Sequence, residues 1–253
     1  MNVLKKLYDK SQIWFAVAWI IAYCVLMSVG DALSASIGMD KSVTLAIGIV
    51  LSGIVLQFLK KHGLSRDYGL CKPKASAKSM LYYIPILIML TVNLWYGVRL
   101  NYDALETVLY ILAMLCVGFL EEVIFRGLLF EAMRKDSVKA AIIVSSVTFG
   151  IGHIINLING SGTELLPNLL QLIYATAAGF MFVMMYYKSK SLLVCIAAHG
   201  VFNALSVFAD EASASNEMRI LTALLLTVIT GSYALYLTFS MKGKTKDEGT
   251  QGS

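Results

Sequence analysis

Val117-Gly118-Phe119-Leu120-Glu121-Glu122-Val123-Ile124-Phe125-Arg126-Gly127 sets two carboxylates and a guanidinium inside an otherwise apolar run. What surrounds this stretch decides whether it is a soluble core helix or a membrane helix whose charges have a task. Of the 253 residues, 58% are hydrophobic and only 15% charged, whereas a soluble domain carries about 25% charge. The solvent of this chain is therefore lipid. A spanning helix needs roughly 20 mostly apolar residues. Working outward from the quoted stretch, apolar runs and their polar breaks predict helices at 12–30, 42–59, 80–98, 106–133, 138–158, 166–187, 191–208 and 218–241. The expected fold is all-α, a polytopic transmembrane bundle of about eight spans. It forms one domain over 1–241, with the functional core over 106–208 and a polar tail at 242–253. The chain carries no internal repeat.

Charge is distributed unevenly between the two sets of loops. Lys5, Lys6, Lys10, Lys60, Lys61, Arg66, Lys72, Lys74, Lys78, Arg134, Lys135, Lys139, Lys188 and Lys190 fall on one side, with the lysines after Met241. The other side holds only Lys41, Arg99 and Arg219. By the positive-inside rule the first set and both termini face the cytoplasm of a cell membrane. The basic segment 60–78 is then a topology signal that can also touch anionic lipid. It is not a nucleic-acid surface. Cys24, Cys71, Cys116 and Cys195 form no C-x-x-C pair and read as small buried hydrophobes. The first apolar run lacks a small-residue cleavage site and reads as a retained span.

An intramembrane charge is costly by at least a few kcal/mol and is a functional hypothesis by default. Three helices carry such residues: Glu121, Glu122 and Arg126; then Phe149, His153 and Asn156; then His199 and Asn203. At a rise of 1.5 Å per residue, Glu121 lies about 18 Å from the basic end of its helix, His153 about 20 Å and His199 about 12 Å. All three can share one cavity, with His199 set about 6–8 Å nearer the basic end. Neighbouring helical residues point about 100° apart, so Glu121 and Glu122 take different roles. Glu122 and Arg126 are spaced for an intrahelical pair, which leaves Glu121 to face the cavity. Gly118, Gly150, Gly152, Gly179 and Gly200 are candidates for close helix crossings. A carboxylate beside a histidine can bind and deprotonate water. An imidazole and an amide one turn apart can hold an oxyanion. The pattern therefore fits hydrolysis. A polar network that only fixes helix packing is the plainer alternative. A zinc site of Glu121, His153 and His199 with Glu122 as base is a third reading.

Glu121-Glu122-x-x-x-Arg126, Phe149-x-x-x-His153 and His199-x-x-x-Asn203, in this order and each in an apolar helix, resemble the three motifs of the CAAX protease and bacteriocin-processing (CPBP, or Abi) family. Gly179-Phe180, Tyr186-Tyr187 and Ser191-Leu192-Leu193 extend the likeness, which covers about 115–205. That family comprises intramembrane endopeptidases related to the type II CAAX prenyl endopeptidases. The resemblance implies Glu121 as general base, His153 holding the water, and His199 with Asn203 as the oxyanion site. Glu122 and Arg126 would support them from behind. Phe149 and Asn156 are candidates to contact substrate. A glutamate mechanism without a cofactor is favoured over zinc.

The implied substrate is a membrane-bound peptide, lipopeptide or precursor reaching the site from the cytoplasmic side. The non-catalytic alternative is an immunity or scaffold protein that retains the motifs. A transporter using Glu121 as a proton site predicts an internal repeat, which the chain lacks. The lopsided Lys and Arg distribution makes a direct prediction: reporter fusions in 31–41 and 209–217 read as external, and a cytoplasmic signal at either position would overturn the orientation.

Overall fold

The computed structural model describes residues 2–157 and 164–247. Helix α1 is Asn2–Lys10, α2 is Gln12–Ser36 and α3 is Ser42–Lys61. Helix α4 is Ile84–Thr91, and α5 runs over Ala104–Met133. Helix α6 is Val138–Gly152, continued by a 3-10 segment His153–Leu157. Helix α7 is Leu165–Ser189, α8 is Leu193–Leu205 and α9 is Asn216–Asp247. The starts are legible: Ser11, Asp103 and Ser137 each cap a helix by accepting from the N–H three residues on.

Among the described residues six helices are long and apolar enough to cross a membrane. They are α2, α3, α5, α6 with its 3-10 end, α7, and α9 as far as Met241. The remaining two apolar segments, Lys78–Leu94 and Leu193–Phe208, are shorter. The run expected as one helix over 80–98 is broken. Leu81, Tyr82 and Tyr83 have φ of 50°, 49° and 57°, and the helix restarts with proline in its first turn. Proline has no N–H to give, and in the first turn of a helix none is needed. The Tyr233 hydroxyl donates to the Met80 carbonyl at 2.6 Å, satisfying an acceptor at the break. The polar segment after Met241 continues α9 to Asp247; residues 248–253, like residue 158 of the expected fifth helix, lie outside the described residues.

Exposed apolar side chains ride the outer face of α2 at every fourth residue: Ile21, Val25, Val29 and Leu33. Such a stripe would be a liability in water and is the lipid-facing surface of a bundle. The two loop sets separate cleanly. Lys135 bonds Gln12, Lys74 N–H donates to Ser189 O at 2.8 Å and Ser191 Oγ donates to Cys71 O at 2.5 Å, all at the basic end. At the opposite end Asp40 N–H donates to Glu106 Oε1 at 3.1 Å, and Val98 bridges Ala209.

Helices α5 and α8 cross backbone to backbone. A Cβ built on Gly118 would sit 2.5 Å from Gly200 N and 2.6 Å from its Cα. Helices α6 and α7 cross similarly, with a Cβ at Gly179 falling 2.9 Å from Ser146 O. Gly152, expected to serve a close crossing, has nothing within 4 Å. Gly118→Ala is therefore expected to lower stability by about 1–3 kcal/mol, the usual cost of overpacking. Gly152→Ala should be neutral. Thermal unfolding in detergent checks both, and equal melting of Gly118→Ala and wild type would contradict the crossing.

Candidate active site

Glu121 and Glu122 lie where the hydrogen bonding of α5 widens. Ala104–Glu121 is α-helical and Glu122–Phe130 is π-helical. Such segments are rare and gather at functional sites. Every side chain from Glu122 to Phe130 is buried. The widened turn is supported from α6, where Ser145 Oγ donates to the Phe125 carbonyl at 2.9 Å.

His199 of α8 meets both carboxylates. Its Nδ1 lies 2.8 Å from Glu122 Oε1 and its Nε2 lies 3.3 Å from Glu121 Oε2. The expected offset of His199 toward the basic end is thus absent. The reason is where α8 starts. Ser189, Ser191 and Leu192, just ahead of it, are buried, and Leu192 N–H donates to Gly69 O at 2.8 Å. The helix begins inside the protein, so counting turns from its end understates the depth of His199. The Gly118–Gly200 crossing then brings the imidazole against α5.

The expected pair is present: Arg126 Nη1 donates to Glu122 Oε1 at 3.0 Å, with both side chains fully buried. The guanidinium carbon lies 4.1 Å from the Phe149 ring centroid and 5.5 Å from that of Phe182. Arg126 Nε and Nη2 find no hydrogen-bond acceptor, so the ring faces supply their electrostatic contact. Phe182 also stacks on His199 at 5.4 Å and 19°.

Glu121 is 9% exposed. Its Oε1 accepts from Tyr23 OH at 2.7 Å, while its Oε2 has no hydrogen-bond partner. An imidazole that donates from Nδ1 to Glu122 has its Nε2 directed at Glu121, as either acceptor or second donor.

A cavity of about 360 Å³ is lined by Glu121, Phe149, His153, Asn156 and Asn203. A small adjoining pocket of about 40 Å³ joins His199 to His153 and Asn203. The structure therefore brings the three motifs together. His153 Nδ1 lies 3.0 Å from the Phe149 carbonyl of its own helix, and Asn168 Nδ2 donates to the His153 carbonyl at 2.7 Å. Asn156 Nδ2 donates to Gln171 Oε1 at 3.1 Å. Among the described residues no three His, Cys, Asp or Glu side chains are placed to hold one metal ion. Glu121 and His153 thus line one cavity and His153 and His199 the adjoining one, without forming a three-donor shell.

Sequence reasoning missed three participants, two of them not legible at all: Tyr23 on α2 and Phe182 on α7; the third is Gln171, also on α7. A tyrosine or phenylalanine in an apolar run is ordinary core, and only its placement beside Glu121 or Arg126 marks it. Gln171, a carboxamide in an apolar helix, was the detectable signal.

The fold and this cluster define a multi-pass α-helical membrane protein with a buried acid–imidazole centre. Residues 103–205 match the family described as Type II CAAX prenyl endopeptidase Rce1-like. A Bacillus subtilis (strain 168) protein named "Putative membrane peptidase YdiL" is 35% identical over 108 residues, 42% of this chain and 39% of that relative. The match therefore spans well under half of either protein. No solved structure matches. This segment, which contains all three motifs, is where the chain is similar to the Rce1-like family.

Breaking a buried ion pair by removing one partner costs about 3–5 kcal/mol, and losing a hydrogen bond to a charged group about 1.5–3 kcal/mol. Arg126→Ala should therefore unfold at a markedly lower temperature than Tyr23→Phe, which should itself melt below wild type. Equal melting of Arg126→Ala and wild type would remove Arg126 from its assigned place as the counter-charge of Glu122.

Proposed function

We propose that the protein is an intramembrane endopeptidase. It hydrolyses a peptide bond in a membrane-bound peptide, lipopeptide or protein precursor. The observation that carries this reading is Glu121 at a buried cavity, with Oε1 fixed by Tyr23, Oε2 3.3 Å from His199 Nε2 and His153 lining the same cavity.

In this reading Glu121 takes a proton from a water that His153 helps to hold, and the water oxygen attacks the scissile carbonyl. The Asn203 amide and the His199 ring donate to the developing oxyanion, the term that usually contributes most. The C–N bond then breaks, and the proton held at Glu121 passes to the departing amine. Glu122 keeps His199 in orientation through Nδ1, and Arg126 holds Glu122 in place. The closeness of His199 to Glu121 gives it a second use, relaying that proton. No step calls on a metal. A zinc ion held by Glu121, His153 and His199 would require those donors to converge to about 2 Å from one point. The orientation follows the charge distribution, with the basic end and both termini cytoplasmic in the cell membrane.

Glu121→Gln keeps the shape and removes the base. It should abolish cleavage of the host's membrane precursors while leaving melting close to wild type. Asn203→Ala should lower kcat by about 10²–10³-fold with a smaller change in KM, as for a donor used in the transition state. Full turnover in Glu121→Gln would end the proposal. One zinc per chain, with activity lost on its removal and restored on its return, would transfer the chemistry to the metal.

A further inference from the structure

We infer that water and the substrate chain reach Glu121 from the less basic end of the bundle, along a polar limb of the cavity, and not from the basic end. The substrate half of this inference rests on the peptidase reading; the water path does not.

The cavity has a direction. On α2 its lining runs from Tyr23, at Glu121, to Asp31, about 12 Å of helix toward the less basic end. On α5 it runs from Glu121 back to Tyr110, about 16 Å in the same direction. Lys41, at the start of α3, lines its far part, where Lys41 Nζ and Thr44 Oγ1 donate to Asp31 Oδ1 at 2.7 and 2.6 Å. A second cavity of about 570 Å³ shares Asn93, Gln171, Tyr174, Phe202 and Glu211 with it and continues to Arg219 on α9.

The other direction is closed. Past Glu121 toward the basic end lie the buried residues Glu122 to Phe130. Behind them Tyr8, Phe15 and Phe58 pack edge to face or tilted with centroids 5.0–5.5 Å apart. Tyr8 OH meets Tyr68 OH at 2.9 Å, and Phe130 packs on Tyr186. Tyr8, Phe15, Phe58, Tyr68, Phe130 and Tyr186 are all at most 9% exposed. A polypeptide has no room on that side.

The chemistry of the limb suits a hydrated extended chain. Asn93, Asn156, Gln171 and Asn203 line it, and a carboxamide carries both a donor and an acceptor, as a peptide bond does. The buried Glu121 carboxylate at the inner end, whose Oε2 accepts no hydrogen bond, is the group such a limb serves. The expected approach from the basic side is replaced by this one.

Native Cys24 lines the limb one residue from Tyr23, and Ser28 lines it one turn further out. The test uses full-length protein with Cys71, Cys116 and Cys195 replaced by serine, in oriented membranes, and a membrane-impermeant methanethiosulfonate added from one side at a time. Lys61→Cys reports the basic end and Ala212→Cys the less basic end, both exposed. A permeant reagent first confirms that Cys24 and Ser28→Cys are reactive. Cys24 and Ser28→Cys should label from the Ala212→Cys side at least tenfold faster than from the Lys61→Cys side, with Ser28→Cys the faster of the two. Labelling from the Lys61→Cys side, or from neither side, would overturn the inference. The readout needs no proteolysis, so an inactive but correctly labelled protein would fail the peptidase reading alone.

Discussion

The Glu122–Arg126 ion pair, fully buried at 3.0 Å, is the constraint around which the rest is arranged. A charge left alone in this setting is strongly destabilising. The pair by itself leaves Glu122 with a further acceptor site and Arg126 with unpaired N–H groups. His199 takes the first, and the faces of Phe149 and Phe182 meet the second. Those side chains come from α8, α6 and α7. One electrostatic requirement on α5 thus draws four helices to one point, and that point is beside Glu121.

Electrostatics alone could not bring the helices close enough. In lipid, apolar contact gives helices little preference for one another over hydrocarbon, so close packing of small residues is what joins them. Gly118 against Gly200 allows α5 and α8 to touch through their backbones, and His199 is next to the second of these glycines. Gly179 against Ser146 performs the same service for α7 and α6 and so places Phe182 and Phe149 together. The glycines set the distances, and the ion pair sets which side chains occupy the space between.

Much of this was legible. The all-α membrane bundle followed from composition and run length, and the Glu122–Arg126 pair followed from spacing. The sorting of loops into two ends followed from lysine and arginine alone. What failed did so for a common reason: it depended on where a helix begins in depth or on a neighbour from a distant segment. Helix α8 starts inside the protein behind the buried segment 189–192, so turn counting misplaced His199. The run over 80–98 has the hydropathy of a span, but left-handed backbone at Leu81, Tyr82 and Tyr83 breaks it, and hydropathy is blind to backbone φ. Gly152 has the composition of a crossing and faces open space. Tyr23 lies outside 103–205, so neither spacing nor family likeness could associate it with Glu121.

Hydrolysis within a bilayer sets two demands that oppose each other. Water is a reactant and must reach the carboxylate, yet a path open at both ends would hydrate the ion pair and weaken the interactions that hold it. On the proposed peptidase reading, the arrangement answers both by being one-sided. Glu121 ends a polar limb of the cavity. Glu122, one residue on, belongs to the sealed, aromatic-packed half. The change from α- to π-helical hydrogen bonding falls between these two residues. Two adjacent glutamates can therefore differ so sharply in surroundings because the boundary between the wet and dry halves of the protein runs through the peptide bond that joins them.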